Sequence, residues 1–475
     1  MGRQPFGLAS PAAWLRNAGV DVTCVDLSKE KLGEAVVREA GAVAFFLPMH
    51  TATRLALPVI DRVRAMNPAA RLIAYGLYAP LNEPLLREHG VADVLGGEFE
   101  EDLVRSVAEA SQAGLPSTLL RPGKASTTVC QAGLKASTTE TPLKASTTVC
   151  QAGLKASTTI GVPRLKFIVP ARDGLLPLSN YATLQMAGER RIAGYTEASR
   201  GCKHRCRHCP IVPVYDGRFR IVPPAIVLAD VRAQVAAGAR HVTFGDPDFF
   251  NGIRHADSVV RGFAREFPDV TYDVTIKVEH LLRHQQMLPV LRDTGCAFVT
   301  SAVESVDDRV LEKLEKGHTR ADVERVVSVC REARLALAPT FMPFTPWTTL
   351  ESYVDLLREI DRLDLVDHVA PIQLAIRLLI PQGSRMLELE DVRAVTGPFS
   401  AASLTYPWRH PDPRVDALQE DLMRTVGVKL TASRGELFAR VWELAHERAG
   451  LTPSRRDVSL TPRAAVPYLN EPWYC

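Results

Sequence analysis

The feature that most limits this chain is an alternation of short apolar, β-branched runs with longer amphipathic ones, which occurs in two separate series. In the first, over residues 8–112, strand-like runs stand at 21–27 (DVTCVDL), 42–47 (AVAFFL), 71–76 (RLIAYG) and 92–97 (ADVLGG). Helical patterns lie between them, one ending at Gly19 and another over 53–66. Strand and helix in strict alternation imply parallel pairing with crossover helices, the doubly wound α/β class. Ligands in that class sit at the carboxyl ends of the strands. Those ends carry Asp26, PMH at 48–50, YGLYA at 75–79 and GGEFE at 96–100. The series opens on a helix, so the sheet is expected to lack its first strand, through a late start codon or a degenerate domain.

The second series begins near Arg190. Its strand-like runs are RIAGYTEA, HVTFGD (241–246), TYDVTIKV (271–278), AFVTSAVES (297–305), ALAPTFM (336–342) and HVAPIQLAI (368–376). Helical patterns separate them at 225–237, 256–267, 281–293, 321–334 and 350–363, with Gly238 and Gly295 where helix C-caps favour glycine. Six β/α units in order suggest an open partial barrel whose chemistry sits on the loops after the strands. A tail from about 398 adds helices at 414–426 and 434–450. The expected layout is an α/β domain at 1–112, a linker at 113–188, the barrel at 189–395 and a helical extension at 396–475.

The linker contains a twenty-residue unit given almost twice, KASTTVCQAGLKASTTETPLKASTTVCQAGLKASTT, with Cys130 and Cys150 in equivalent places. Two copies are too few for a solenoid, and the unit is rich in Ser and Thr. It reads as a disordered, duplicated insertion at 124–163. No ligand pattern accompanies its cysteines.

A chain of 475 residues holds two or three domains. Its 57 basic and 54 acidic residues are interleaved, which argues against a nucleic-acid arm or a polybasic membrane patch. No apolar run approaches the ~20 residues that span a bilayer. The start, MGRQPFGLAS, is neither a secretory signal nor, with Phe6 in place of Ser or Thr, a myristoylation site. The expected location is the cytoplasm. There the nine cysteines stay reduced, so a cluster of them points to metal or redox work. Cys24, Cys296 and Cys330 lie in apolar runs and read as small buried hydrophobes.

The cluster is Cys202-x3-Cys206-x2-Cys209, directly after the first strand of the second series and flanked by Lys203, His204, Arg205, Arg207 and His208. Two cofactors suit it. A structural zinc wants four ligands, usually paired Cys-x-x-Cys knuckles, and only one such pair exists here; His204 or His208 would supply the fourth ligand. A four-iron cluster on three thiolates leaves one iron open for a small molecule. The neighbouring cations suit either, because positive charge favours thiolates. The spacing and the place after a first barrel strand favour the cluster.

This motif resembles the signature of the radical S-adenosylmethionine superfamily. The resemblance spans about residues 190–390. It implies a partial (β/α)6 barrel, with Cys202, Cys206 and Cys209 on a [4Fe–4S] cluster and S-adenosylmethionine on the open iron. It also implies an external electron donor of flavodoxin or ferredoxin type, and reductive release of a 5′-deoxyadenosyl radical. His208 stands where the superfamily often has an aromatic residue beside the adenine. By the same resemblance Gly245, Asp246 and Asp248 in FGDPDFFNG face the amino group of S-adenosylmethionine. Ser301, Glu304 and Ser305 in SAVES take the ribose- and methionine-contacting places. Lys277, Glu279 and Arg377 are further candidates, and Phe344 and Trp347 line the substrate mouth or simply pack.

A Rossmann-like domain before such a barrel resembles the cobalamin-binding subclass, which transfers methyl groups to unreactive carbon or phosphorus. The Asp-x-His-x-x-Gly motif is absent, since His50 lies in PMHTAT. The ending VPYLNEPWYC resembles the CUAEP/CCAEP-tail family of radical S-adenosylmethionine proteins, and implies that a selenocysteine codon after Cys475 was read as a stop. Cys475 would then be half of a redox or attachment pair. The expected function is therefore radical S-adenosylmethionine chemistry on an unidentified substrate. The alternatives are cobalamin-dependent methyl transfer and a non-catalytic zinc- or cluster-binding protein.

Overall fold

The computed structural model describes residues 2–113, 126–131, 164–428, 433–452 and 466–470. The first series folds as expected into parallel strands β1 (Asp21–Asp26), β2 (Ala42–Phe46), β3 (Arg71–Tyr75) and β4 (Asp93–Leu95). Ala42 to Phe45 are buried one after another, as a parallel strand covered on both faces requires. The helix His50–Met66 lays Thr53, Ala56, Ile60 and Val63 on the sheet, a spacing of three and four residues that keeps one face inward.

One expectation is overturned here. Residues 126–131 of the duplicated unit, expected within a disordered linker, form a strand, β5 (Ser126–Gln131). It pairs in parallel with β1 and with β2, giving the sheet order β1-β5-β2-β3-β4. The position between β1 and β2 is thus filled from a point later in the chain. The physical reason is that β1 and β2 stand one strand apart, each presenting an unpaired edge, and STTVCQ carries a β-branched run suited to that slot.

The second sheet contains β6 (Thr183–Met186) and β7 (Glu189–Thr196); β8 (Ser199–Gly201) and β9 (Phe219–Ile221) form a separate two-stranded clasp. Four parallel strands follow: β10 (His241–Phe244), β11 (Thr271–Thr275), β12 (Cys296–Glu304) and β13 (Ala336–Phe341). A short β14 (Tyr468–Leu469) closes the order β13-β12-β11-β10-β7-β6-β14, in which β7 to β13 run parallel and β6 and β14 antiparallel. This is the curled half-barrel that the alternation called for. The expected sixth strand at 368–376 is instead a 3-10 turn, Pro371–Leu374, followed by one parallel bridge between Phe344 and Arg377. Pro371 has no N–H to give a ladder, and Gln373 turns its side chain to accept from the Phe341 N–H at 3.1 Å.

Residues 164–188, also expected as linker, pack as structure: Leu165, Leu178, Tyr181 and Ala182 are buried. Arg172 there makes a two-pronged pair with Asp230 at 2.6 and 2.8 Å and donates to the Tyr195 carbonyl at 2.7 Å. No helix among the described residues is long and apolar enough to cross a membrane.

The two halves meet at the carboxyl end of the first sheet. Arg200, buried, is 2.7 Å from Glu100, 3.2 Å from Glu98 and 2.9 Å from Glu197. Tyr215 donates to Glu98 at 3.2 Å, Tyr181 donates to Asp26 at 3.0 Å, and His50 meets the Ser403 carbonyl. Of the strand ends singled out from the sequence, 96–100 therefore faces the cysteine loop, Asp26 faces the 164–188 segment and His50 faces the helical extension.

Candidate active site

The clasp β8–β9 holds the loop 202–218 that carries the three cysteines. Gly201 opens that loop at φ +72°, and a Cβ there would lie 2.4 Å from the Tyr215 ring and 2.5 Å from the Arg218 carbonyl. Only glycine lets the chain turn so tightly. Asp246, at the end of β10, braces the turn from the other side. Its oxygens accept from the Ala198 N–H at 2.9 Å and the Ser199 hydroxyl at 2.5 Å. Burial pushes its carboxyl up to about 7 against those hydrogen bonds.

Cys202 and Cys206 are buried, Cys209 is half-buried, and all three are free thiols. Burial raises Cys202 and pushes Cys209 up to about 12, and the charge of a neighbouring thiolate adds to each. Thiols so situated favour binding a cation that takes their protons. Neither histidine of the loop is directed to them. His204 Nε2 lies 3.2 Å from Asp248, and His208 Nε2 lies 3.2 Å from Glu304. The nearest cation is Lys277, whose Nζ is 3.8 Å from Cys206 Sγ. Three grouped thiols with no histidine turned toward them fit a cluster with one open position better than a closed four-ligand zinc site.

The wall facing the loop comes from β12. Glu304 sits at φ +68°, where the β12–β13 register shifts. A non-glycine residue at such a φ is uncommon and is held by its surroundings. Its carboxylate meets His208 and, at 3.4 Å, the buried ammonium of Lys316. Burial raises this carboxyl, but Lys316 and then His208 outweigh it and hold Glu304 at about 2. Ser301 is fully buried on the same strand, and its hydroxyl has no hydrogen-bond partner. An orphan polar atom in such a place is a pointer to a ligand.

Residues 196–360 match the radical SAM superfamily. The chain carries a radical SAM domain. Such a domain implies a [4Fe–4S] cluster and S-adenosylmethionine, and the thiol set just described suits them. Within this domain the chain is similar to the ribosomal protein uS12 methylthiotransferase RimO of Desulfosudis oleivorans, 27% identical over 170 residues, covering 33% of this chain and 38% of that one. The tRNA-2-methylthio-N(6)-dimethylallyladenosine synthase of Salinispora arenicola is 27% identical over 216 residues, covering 36% and 42%. The chain spans about two fifths of the length of these curated relatives.

Solved structures resemble the whole chain. The radical S-adenosylmethionine methyltransferase TsrM from Kitasatospora setae, with tryptophan substrate and a SAM analogue bound, has a TM-score of 0.63 at 16% identity and covers 94% of this chain and 93% of that one. The cobalamin-dependent radical enzyme OxsB, with aqua-cobalamin and S-adenosylmethionine bound, has a TM-score of 0.63 at 12% identity, covering 89% and 64%. At these identities the likeness is one of fold. It extends the match from the radical SAM domain to the doubly wound half.

Several candidates from the sequence sit beside the radical SAM loop without converging on it. Gly245 is tied to packing, since a Cβ there would overlap the Tyr195 ring at 1.8 to 2.5 Å. Ser305 caps a turn by accepting from the Asp307 N–H at 3.0 Å. Arg377 is clamped to the helical extension, 2.6 Å from Asp416 and 3.6 Å over the Trp408 ring. Phe344 is fully buried against Tyr353, and Trp347 donates to Asp391 at 2.7 Å. Asp248 is met by His204 and His280. Cys475 and Cys150 lie outside the described residues, as does the side chain of Cys130.

Sequence reasoning missed Arg200, Asn251, His280 and Lys316. Asn251 braces the loop, accepting from the Lys203 N–H at 3.2 Å with Cys202 Sγ at 4.0 Å. Lys316 precedes Gly317 at φ +73°, a turn that carries the ammonium back to Glu304. That glycine was the one available signal.

Proposed function

We propose that this chain is a radical S-adenosylmethionine enzyme acting on a still unidentified substrate. The observation that carries the reading is the trio Cys202, Cys206 and Cys209, two buried and one half-buried, all free, in the loop that follows the first parallel barrel strand. Cys202, Cys206 and Cys209 would hold a [4Fe–4S] cluster, which would supply the one-electron reduction that cleaves S-adenosylmethionine. The protein's own residues bind, orient and exclude water. Asp246 and Asn251 fix the loop backbone, and Lys277 offsets thiolate charge at Cys206. Ser301 offers its unpartnered hydroxyl to S-adenosylmethionine, with His208 and Glu304 beside it. Gly245 and Ser305 serve by shaping the strand ends. The electron comes from an external flavodoxin- or ferredoxin-like donor.

Anaerobic reconstitution tests this. About four irons and four sulfides per chain are expected, with 5′-deoxyadenosine formed from S-adenosylmethionine and dithionite, and both lost in Cys206→Ala. Absence of iron and of 5′-deoxyadenosine in the parent overturns it.

A second reading, cobalamin-dependent methyl transfer, is favoured by one observation. The 96–100 end of the doubly wound sheet is turned to the cysteine loop, with Glu98 and Glu100 paired to Arg200. His50 lies at that edge with Nδ1 buried and unpartnered. Corrinoid absorbance retained after gel filtration of the reconstituted protein supports this reading, and its absence at saturating cobalamin removes it.

A further inference from the structure

Outside the cysteine set, one cluster of metal-binding side chains stands out. His204 from the loop, Asp248 after β10 and His280 from the helix Val278–Arg283 bring one donor atom each within 4.8 Å of the others. Asp248 is fully buried, and its Oδ1 accepts from the Phe250 N–H at 3.2 Å. The other, Oδ2, lies 3.2 Å from His204 Nε2 and 2.7 Å from His280 Nδ1. Ligand bonds of about 2.0–2.2 Å in a tetrahedron hold the ligand atoms about 3.3–3.6 Å apart, so His204 already stands near that spacing from Oδ2 and His280 would have to draw back by under about 1 Å.

Oδ2, His204 Nε2 and His280 Nδ1 are all buried, Oδ2 stands within ion-pair distance of both rings, and none of the three atoms has a hydrogen bond of good geometry. A carboxylate oxygen facing two buried imidazole nitrogens is a donor arrangement that suits a divalent ion. We propose that His204, Asp248 and His280 bind a single divalent transition-metal ion of the zinc class, at a site separate from the three cysteines.

The surroundings suit this. Glu279 Oε2 stands 3.8 Å from the other ring nitrogen of His204, beyond hydrogen-bond range, and adds negative charge beside the ring. The set is two nitrogens and one oxygen without sulfur, which suits zinc, cobalt or nickel better than a soft ion. One side opens on a cavity of about 450 Å³ lined by Lys203, His204, Asn251, His280, Arg283 and His284. That cavity gives the ion an entry path and leaves a fourth coordination position for water or an anion. The metal then ties the cysteine loop, through His204, to the ends of β10 and β11.

The test is a metal analysis of the full chain, reconstituted with iron and sulfide, incubated with zinc and freed of excess by gel filtration. The parent should hold about one zinc per chain beside its iron. The triple variant Cys202→Ala/Cys206→Ala/Cys209→Ala should lose the iron and keep the zinc. Asp248→Asn and His280→Gln should lower zinc at least about tenfold while iron stays. Cobalt substituted for zinc in the triple variant should show d–d bands without a thiolate charge-transfer band. His204→Gln, in the more exposed ligand, covers the case in which the buried variants do not fold. Zinc that follows the cysteines, or zinc unchanged in Asp248→Asn and His204→Gln, overturns the site. A parent that binds iron but no zinc overturns it as well, and leaves the radical chemistry standing.

Discussion

Replacing Glu304 by glutamine removes one charge from the wall of the site and changes almost no volume. In the folded protein this carboxyl stands at about 2 instead of the ordinary 4.5. At 1.36 kcal/mol per unit, that preference for the charged form amounts to about 3 kcal/mol. It comes from Lys316 and His208 overcoming burial, and the Lys316 side chain is only 3% exposed. Glu304→Gln leaves that ammonium buried without its countercharge, a change that costs about 3–5 kcal/mol for a buried pair. The assay is amide hydrogen exchange of β12 and β13, which reads local opening and does not assume that the two halves unfold together. The Met342 N–H, bonded to the Glu304 carbonyl at 2.9 Å, reports directly. At pH 7 a loss of about 3 kcal/mol speeds its exchange about a hundredfold. A depressed carboxyl contributes above its unfolded value and loses that contribution as pH falls toward its folded one. The gap between parent and variant should therefore hold above pH 5 and close between about 4.5 and 2. A difference below threefold at pH 7, or a gap that does not narrow with acid, refutes the charge-pair reasoning.

Two further outcomes follow from the geometry. Arg200→Met removes the guanidinium shared by Glu98, Glu100 and Glu197, leaving Glu98 and Glu100 fully buried without it; it should lower stability by about 3–5 kcal/mol in thermal unfolding, and an unchanged melting temperature contradicts the clamp. Ser301→Ala deletes a buried hydroxyl with no protein partner. Its stability should stay within about 0.5 kcal/mol of the parent while S-adenosylmethionine affinity, measured by calorimetry, falls about five- to tenfold; unchanged affinity removes Ser301 from the site.

Much of the architecture was legible because it rests on patterns that are local. The buried run at 42–45 and the three-and-four spacing of the helix after it need no distant partner to be recognised. The cysteine spacing likewise carries its chemistry in eight residues. What failed was non-local. Pro371 and the inward turn of Gln373 deprived the second sheet of a sixth strand, and only the neighbouring Phe341 amide explains why. STTVCQ read as part of a linker because its own composition is polar; the vacancy between β1 and β2 that accepts it is a property of other strands. Asp246 looked like a ligand-binding carboxylate, yet its two oxygens accept from Ala198 and Ser199. His280 was invisible beside Asp248 because thirty-two residues separate them along the chain.

By itself, then, the sequence determined the two α/β halves and the place of the cysteine loop after the first barrel strand, because periodicity and short-range spacing encode both; the choice of cofactor came from the resemblance that loop carries. The tertiary structure decided which side chains meet. It turned His204 and His208 away from the thiols, brought Lys316 to Glu304, and set His204, Asp248 and His280 around one point. Those outcomes depend on where separate loops come to rest, and loop placement is settled by packing and charge pairing across the fold.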